Sequence, residues 1–382
     1  MIHVLNVNSS LEFRTGGGTA ERTFQMSRSL AAEGVQCTVL TIDTGLDESR
    51  VLALAPVKVI VVPLLLRRFY VPKVSWKTIR TLVDAADIVH LMGHWSVLNA
   101  LVYMALHRTQ KPYVVCPAGA LPIFGRSRWL KRIYNFVVGD RIICNAAGWI
   151  AVTASEFPHF ENYGIPSSNV TVIPNGVSKE DFPPVDIEAF RRARNLPDAP
   201  IILFMGRLNL IKGPDLLLRA FASIQERIPD YQLVFAGPDE GMQFALIEMA
   251  QQEGIARRVH FLGFVSGNDK PAAYQLARLL VVPSRQEAMS IVALEAVISG
   301  TPVMLTNQCG FDELKSIEPG LVVPASVAGI ADGLIHLLTE PSLLDQISPS
   351  LQNFVLQRYT WHSIVARYLN FYGSILSSSA SK

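Results

Sequence analysis

The chain has 382 residues, with 34 Lys and Arg against 32 Asp and Glu, a length that fits two or three domains. A net charge of +2 argues neither for nor against nucleic acid, and no such partner is expected. Hydrophobic residues make up 49% and charged residues only 17%, a balance that suits either many doubly buried strands or a surface resting on a membrane; the longest apolar stretch, 51–66, is broken by Pro56, Lys58 and Pro63 and is not expected to span one.

In chain order, residues 1–7 lack the charged start and cleavage site of a signal peptide and read as a first strand, which sets a cytoplasmic expectation. Further strands are expected at 37–42, 57–62, 88–92, 113–116, 149–153 and 170–173, alternating with helical segments in the α/β pattern. A helix over 19–33 is predicted to start at an N-cap threonine and end at Gly34. Before it stands Thr15-Gly16-Gly17-Gly18-Thr19-Ala20-Glu21. Glycines let a backbone approach a phosphate or a sugar. A dinucleotide fingerprint with Asp43 as the ribose acid fits poorly, because Glu21 replaces the third glycine and residues 8–15 separate the glycines from the strand. His94 follows the strand 88–92 at its carboxyl end, where a substrate contact is expected, whereas His90 inside the strand reads as core. Asn175-Gly176 reads as a tight hinge turn, and the polar segment 178–200 as a linker.

Two stretches are basic and aromatic. Within 61–82 lie Arg67, Arg68, Lys73, Lys77 and Arg80 among Phe69, Tyr70 and Trp76, and within 124–134 lie Arg126, Arg128, Trp129, Lys131 and Arg132. They suit an anionic membrane surface or an anionic acceptor, the alternative being ordinary solvated faces. The four cysteines have no metal spacing and read as reduced thiols, most of them beside apolar segments.

A second alternating series follows, with strands at 201–205, 231–236, 259–262, 279–282, 302–305 and 321–323. The expected fold class is α/β, two doubly wound Rossmann-like domains with a cleft between them, over 1–185 and 186–359. A tail helix over 360–382, carrying Trp361, Tyr368 and Tyr372, is expected to cross back to the first. After the strand 201–205 come Gly206-Arg207 and Lys212-Gly213, then a helix from Pro214; two cations beside a helix N-terminus form a site for a diphosphate. After the strand ending at Val282 come Glu287 and, eight residues on, Glu295. At ~3.6 residues per turn that spacing brings both carboxylates to one crevice. Glu295 sits in an apolar helix and needs a partner there.

Taken together, Gly17-Gly18 with Glu21, Thr153-Ala154-Ser155-Glu156, Ile173-Pro174-Asn175-Gly176-Val177, Gly206-Arg207 with Lys212-Gly213, Leu262-Gly263-Phe264, Pro283-Ser284, the Glu287/Glu295 pair and Gly300-Thr301-Pro302 resemble a retaining glycosyltransferase of family 4, with the GT-B fold. The resemblance covers nearly the whole chain in the family's order. It implies that Arg207 and Lys212 hold a donor diphosphate, with no metal and no cofactor, and the chain has no Asp-x-Asp motif. It further implies that Glu295 takes the ribose hydroxyls and Glu287 the sugar hydroxyls. Amides of Met289, Ser290 and Ile291 line sugar and phosphate, Gly17 and Gly18 approach the phosphate, His94 contacts the sugar, and the base meets Phe264-Val265. Ala288-Met289-Ser290 replaces the family's usual Gly-Phe-Gly, so the donor sugar is the least determined feature, with UDP-glucose taken from family frequency. The expected function is transfer of a hexose from a UDP-sugar to a glycan or lipid-linked saccharide in polysaccharide biosynthesis, in the cytoplasm with peripheral contact at the membrane face. A nucleotide-sugar epimerase of the same architecture is the alternative; a lectin-like role would require these cleft residues to be lost.

Overall fold

The computed structural model describes residues 2–123 and 127–380. It divides into two compact units, Met1–Gly176 with Trp361–Lys382, and Val177–Thr360. Among the described residues, the strands of the first unit are β1 (His3–Val7), β2 (Gln36–Ile42), β3 (Lys58–Val62), β4 (Leu64–Leu66), β5 (Val71–Pro72), β6 (Ile88–Met92), β7 (Tyr113–Cys116), β8 (Gly148–Ala151) and β9 (Val170–Val172). Seven form a parallel sheet in the order β3-β2-β1-β6-β7-β8-β9, while β4 and β5 pair as a separate antiparallel hairpin. Every residue of β6 and β7 is buried, as central parallel strands covered on both faces require. The chain winds outward from β1 to β3 and returns to β6 on the other side of β1, so the carboxyl ends of β1 and β6 flank a switch point, the place where open sheets bind ligands.

In the second unit the described strands are β10 (Ile201–Met205), β11 (Gln232–Ala236), β12 (Val259–Gly263), β13 (Leu279–Val282), β14 (Val303–Thr306) and β15 (Val322–Val323). They form a parallel sheet ordered β12-β11-β10-β13-β14-β15, with Ile202 opposite Leu279 and Leu203 opposite Leu280. Its switch point lies between β10 and β13, whose carboxyl ends lead into Gly206-Arg207 and into Pro283–Glu287. Both units are thus doubly wound. Among the described residues no single helix is long and apolar enough to cross a membrane; one bent pair, Val327–Leu338 with Ser342–Arg358, passes by length and composition, and its Leu334, Leu337, Leu344 and Leu351 are buried.

The tail helix Trp361–Ala380 belongs to the first unit. Its Tyr368 and Tyr372 are fully buried. Arg22, from the helix Phe13–Ala32, donates to Tyr368 Oη (2.6 Å), to the carbonyl of Ile173 (2.6 Å) and to Asn175 Oδ1 (2.8 Å). His90 is core, with Nδ1 2.7 Å from Tyr372 Oη.

Three expectations need correcting. The segment 178–200 is not a linker: the unit boundary falls after Gly176, ahead of the expected 185/186, and 187–193 form a helix capped by Asp186, whose Oδ1 accepts from the Ala189 amide at 2.9 Å. Phe190 of that helix is buried, which ties a polar sequence to the second core through one aromatic anchor. Asn175-Gly176 makes no turn, and Gly176 does not use positive φ. Its glycine answers packing, since a Cβ there would lie 2.9 Å from Ile364 and from the Trp361 ring. The first helix starts earlier than residue 19 and breaks at Gly17, whose φ of 60° and ψ of −154° only glycine adopts readily.

Candidate active site

In the second unit the site is assembled by two loops leaving the switch-point strands. The loop after β10 runs from Gly206 to Gly213, which caps the helix Pro214–Ser223 with φ +69°. A Cβ on Gly213 would stand 2.1 Å from the carbonyl oxygen of Pro283, so the two loops touch backbone to backbone. Arg285 fastens them further. Its amide donates to Ile211 O (2.7 Å), and its guanidinium grips Asp215 through Nη1–Oδ1 (2.8 Å) and Nη2–Oδ2 (2.6 Å), a bidentate fork.

This clamp brings Lys212 to Glu287. Lys212 Nζ donates to Glu287 Oε1 at 2.7 Å, Ser284 Oγ donates to Oε2 at 2.9 Å, and the Glu287 amide donates to Gln308 O at 2.9 Å. Arg207, on the same loop, pairs with Glu240 at 3.0 Å, an exposed pair that Asn209 Nδ2 also joins at 2.6 Å. An exposed pair of this kind is worth little and is easily exchanged for a ligand anion.

Glu295 lies on the helix Ile291–Ile298, flanked by buried Leu294 and Ala296, and is itself only 4% exposed. Both its oxygens are occupied: Lys270 Nζ donates to Oε1 and Tyr274 Oη donates to Oε2, each at 2.6 Å. Burial first, and the Glu295 charge second, push the Tyr274 phenol well above its ordinary range, so it is the proton donor. Lys270 and Tyr274 were not read from the sequence. Their i,i+4 spacing on Asp269–Leu276 puts both on one helix face, and that was the available signal.

The spacing argument for the two glutamates does not hold in this form. The helix begins at Ile291, so Glu287 is not on it, and helical periodicity relates neither its direction nor its partners to those of Glu295. Ser290 is the N-cap, its Oγ accepting the Ala293 amide at 3.4 Å, with Met289 and Ser290 buried and Ile291 half-buried. At the end of β12, Phe264 is half-buried and Val265 buried, beside Gly263, whose carbonyl accepts the Gly237 amide at 2.7 Å.

In the first unit the loop after β1 and the loop after β6 meet through Ser9 Oγ and Ser96 Oγ at 2.7 Å. Gly17 is half-buried and Gly18 exposed. Glu21, part of the glycine motif, is spent on structure: Arg50 Nη2 donates to it at 3.0 Å and Gln25 at 2.8 Å. His94 is 2% exposed, ringed edge-on by Trp95, Tyr134 and Tyr163. Its Nε2 donates to Asn135 Oδ1 at 2.8 Å, which leaves Nδ1 as the lone-pair nitrogen, buried and without a hydrogen-bond partner among the described residues. Burial pulls its pKa down to about 4, so the ring is neutral at pH 7. Glu156, of the Thr153–Glu156 motif, accepts the amides of Gly119 (2.6 Å) and Val152 (2.7 Å) and so fixes the loop after β7. Of the basic stretches, the first forms the hairpin β4–β5 and the helix Trp76–Ala85, with Leu65, Leu66, Phe69, Tyr70 and Trp76 exposed. The second forms the helix Arg128–Tyr134, and its Arg126 lies outside the described residues.

Known proteins share this fold. The family model described as Glycosyltransferase Family 4 matches residues 16–181, and that described as Glycosyl transferases group 1 matches 186–353. The chain belongs to this glycosyltransferase family, and its two Rossmann-like units are those of the GT-B fold. An uncharacterised glycosyltransferase of Methanocaldococcus jannaschii is 34% identical over 220 residues, 55% of each chain, so the match spans about half of that relative's length. A D-inositol 3-phosphate glycosyltransferase of Actinosynnema mirum is 27% identical over 314 residues, 75% of this chain and 74% of the relative. Among solved structures, the HepE protein of Anabaena in complex with UDP and glucose has a TM-score of 0.78 at 19% identity, covering 98% of this chain and 100% of that one.

Proposed function

We propose that the protein transfers a hexose, glucose in the first instance, from a UDP-sugar to a glycan or lipid-linked saccharide, with retention at the anomeric carbon. The observation that carries the reading is the switch point of the second unit. There Lys212 and Glu287 pair at 2.7 Å beside the N-terminus of Pro214–Ser223, and a second lysine–glutamate pair, Lys270–Glu295, stands on the neighbouring helices. The family match supports glycosyl transfer, and the UDP complex of HepE supports a uridine nucleotide as the donor's carrier.

In this reading Arg207 and Lys212 bind the diphosphate at the helix N-terminus and neutralise the charge that grows as the bond from the anomeric carbon to the phosphate oxygen breaks. Glu295 accepts from the ribose hydroxyls, Glu287 from the sugar hydroxyls, and Phe264-Val265 offer backbone to the base. Met289, Ser290 and Ile291 line the sugar and phosphate, and Gly17, Gly18 and His94 are the substrate contacts proposed for the first unit taken by itself. The acceptor oxygen bonds to the anomeric carbon on the face the diphosphate leaves, and its proton passes to the departing phosphate oxygen. The chain's own cations carry the neutralisation, so turnover is expected to survive EDTA. Work at the cytoplasmic face of a membrane, in peripheral contact with anionic lipid, belongs to the same proposal.

The test is a thermal-shift panel of nucleotide sugars followed by product analysis with saccharide and lipid-linked acceptors, reading the anomeric configuration of the new bond. Stabilisation by UDP and UDP-glucose with an α-linked product supports the proposal. An inverted product refutes retention. Acceptor-independent release of UDP with an epimerised free sugar assigns the protein to the epimerases instead.

A further inference from the structure

The second unit carries a cleft that donor binding leaves unused. Pro200, Arg278 and Pro302 directly precede β10, β13 and β14, and all three line this cleft, whose volume is about 530 Å³. It therefore opens at the amino ends of these strands. The loops of the donor site leave the carboxyl ends, a strand's length of roughly 15 Å away. Clefts of ~300–1,000 Å³ hold small molecules, so an oligosaccharide of a few rings fits.

Two ion pairs stand in its wall. Arg278 grips Asp345 with a bidentate fork, its Nη2 donating to Oδ2 at 3.0 Å. Arg191 Nη1 lies 3.2 Å from Asp198 Oδ1 and donates to the carbonyl of Pro197 at 2.7 Å. The aspartate side chains are 68% and 97% exposed, so both pairs present their carboxylates to solvent and add little to stability. Ser348 adds a hydroxyl, which donates to Gly300 O at 2.8 Å.

This lining selects a neutral, hydroxylated ligand. Its two guanidiniums and two carboxylates cancel. The helices Asp269–Leu276 and Ile291–Ile298 both end beside it, and the partial negative charge of helix C-termini disfavours a phosphate or carboxylate there. The arginines disfavour a cation. A hydroxyl donates and accepts at once, so neighbouring hydroxyls on a ring can give to a carboxylate and take from a guanidinium without parting the pair. Pro200 and Pro302 offer apolar surface to the C–H face of such a ring. We propose that the cleft is a second saccharide site, which takes a neutral oligosaccharide at the end of the second unit opposite the donor loops. The inference goes beyond donor binding and does not depend on it.

In the test, the full-length protein is titrated with maltotriose, cellotriose and mannotriose, and binding is read by saturation-transfer difference NMR, with inorganic phosphate as an anionic competitor. Asp198→Asn/Asp345→Asn keeps the side-chain shapes and removes both charged acceptors. Ser348→Trp fills the cleft from the helix Pro341–Arg358. At least one trisaccharide is expected to bind the wild type. Its affinity should fall about tenfold or more in the aspartate variant, as loss of hydrogen bonds to charged acceptors implies, and vanish in Ser348→Trp. UDP affinity should match the wild type in both. Absence of binding by all three sugars overturns the proposal, as does undiminished binding by either folded variant. Displacement of the bound trisaccharide by inorganic phosphate also overturns it, because the cleft would then be an anion site. If Ser348→Trp does not fold, the aspartate variant, altered only at exposed side chains, decides alone. A wild type that binds the trisaccharide but not UDP counts against the donor reading alone.

Discussion

Replacing Glu295 with glutamine removes a charge while keeping the side chain's shape, and the structure bounds both consequences. Tyr274 Oη, now 2.6 Å from the carboxylate, can still donate to the amide oxygen, so no buried hydroxyl is orphaned. Lys270 retains 29% of its side-chain exposure and can turn to water when its counterion goes. The cost is therefore below the ~3–5 kcal/mol of opening a fully buried pair, about 1–2 kcal/mol. In a domain of this size that is a fall in melting temperature of roughly 2–8 °C. The ligand side is larger. A hydrogen bond to a charged acceptor contributes about 1.5–3 kcal/mol, so loss of the ribose contact should weaken UDP by about 10- to 150-fold. Titration calorimetry with UDP and with 2′,3′-dideoxy-UDP reads the effect directly. The wild type should favour UDP strongly, and Glu295→Gln should bind the two alike. A folded variant with unchanged UDP affinity, or with the wild-type preference between the two nucleotides, refutes the ribose assignment.

Tyr274→Phe strips Glu295 Oε2 of its buried donor and should cost about 1–3 kcal/mol by chemical denaturation; a change below 0.5 kcal/mol would show that water or Lys270 replaces it. Gly213→Ala forces a Cβ to within 2.1 Å of Pro283 O at φ +69°, so strain and overpacking together should cost about 2–4 kcal/mol; an unaltered melting curve would mean the two loops part easily. Stability should also fall on acidification. Burial holds His94 down at about 4 and His90 at about 3, and a free imidazole titrates near 6.5, so from pH 6.5 to 4 the unfolded chain binds protons the folded one refuses. Glu156, pushed up by burial, acts in the opposite sense at the acid end. A melting temperature lower at pH 5 than at pH 7.5, with part of the slope lost in His94→Gln, is expected, and a flat profile would refute the account.

Much of the fold was legible because both sheets are parallel and buried on both faces, which writes strands such as Ile201–Met205 and Ile88–Met92 as unbroken apolar runs. The tail helix was legible too, since Tyr368 and Tyr372 have no reason to be aromatic on a free tail. What could not be read were features that depend on a neighbour distant in sequence. Gly176 looks like a turn until Trp361 is seen against it, and Asp186–Ala193 looks like a linker until Phe190 finds the core. At the site, residue types were readable but pairings were not. Arg207 and Lys212 read as two equal phosphate cations, yet one is an exposed partner of Glu240 and the other is locked to Glu287. His94 read as a residue facing substrate, and the structure encloses it in aromatic rings, its Nδ1 without a hydrogen-bond partner among the described residues, a burial that Gly93-His94-Trp95 alone does not announce.

The pairing of Lys212 with Glu287 changes what each can do. The family resemblance implies phosphate for the lysine and sugar for the glutamate, as if they were independent. At 2.7 Å they share one ammonium, and Glu287 is held in place by Ser284 on its other oxygen. A diphosphate entering at the N-terminus of Pro214–Ser223 competes for that ammonium and stands close to a like-charged carboxylate. It is tolerated only if Lys212, with three donors, bridges both. In the proposed function Glu287 would then orient the lysine toward phosphate as well as accept from the sugar. The consequence is non-additivity. Lys212→Met and Glu287→Gln should each weaken UDP-glucose, but the double variant should lose less than the two losses combined, with a coupling of about 0.5–3 kcal/mol. Uridine, which has no phosphate, should bind all three variants alike. Strict additivity for UDP-glucose would mean that the ion pair opens completely before the donor enters, and the two residues would return to separate roles.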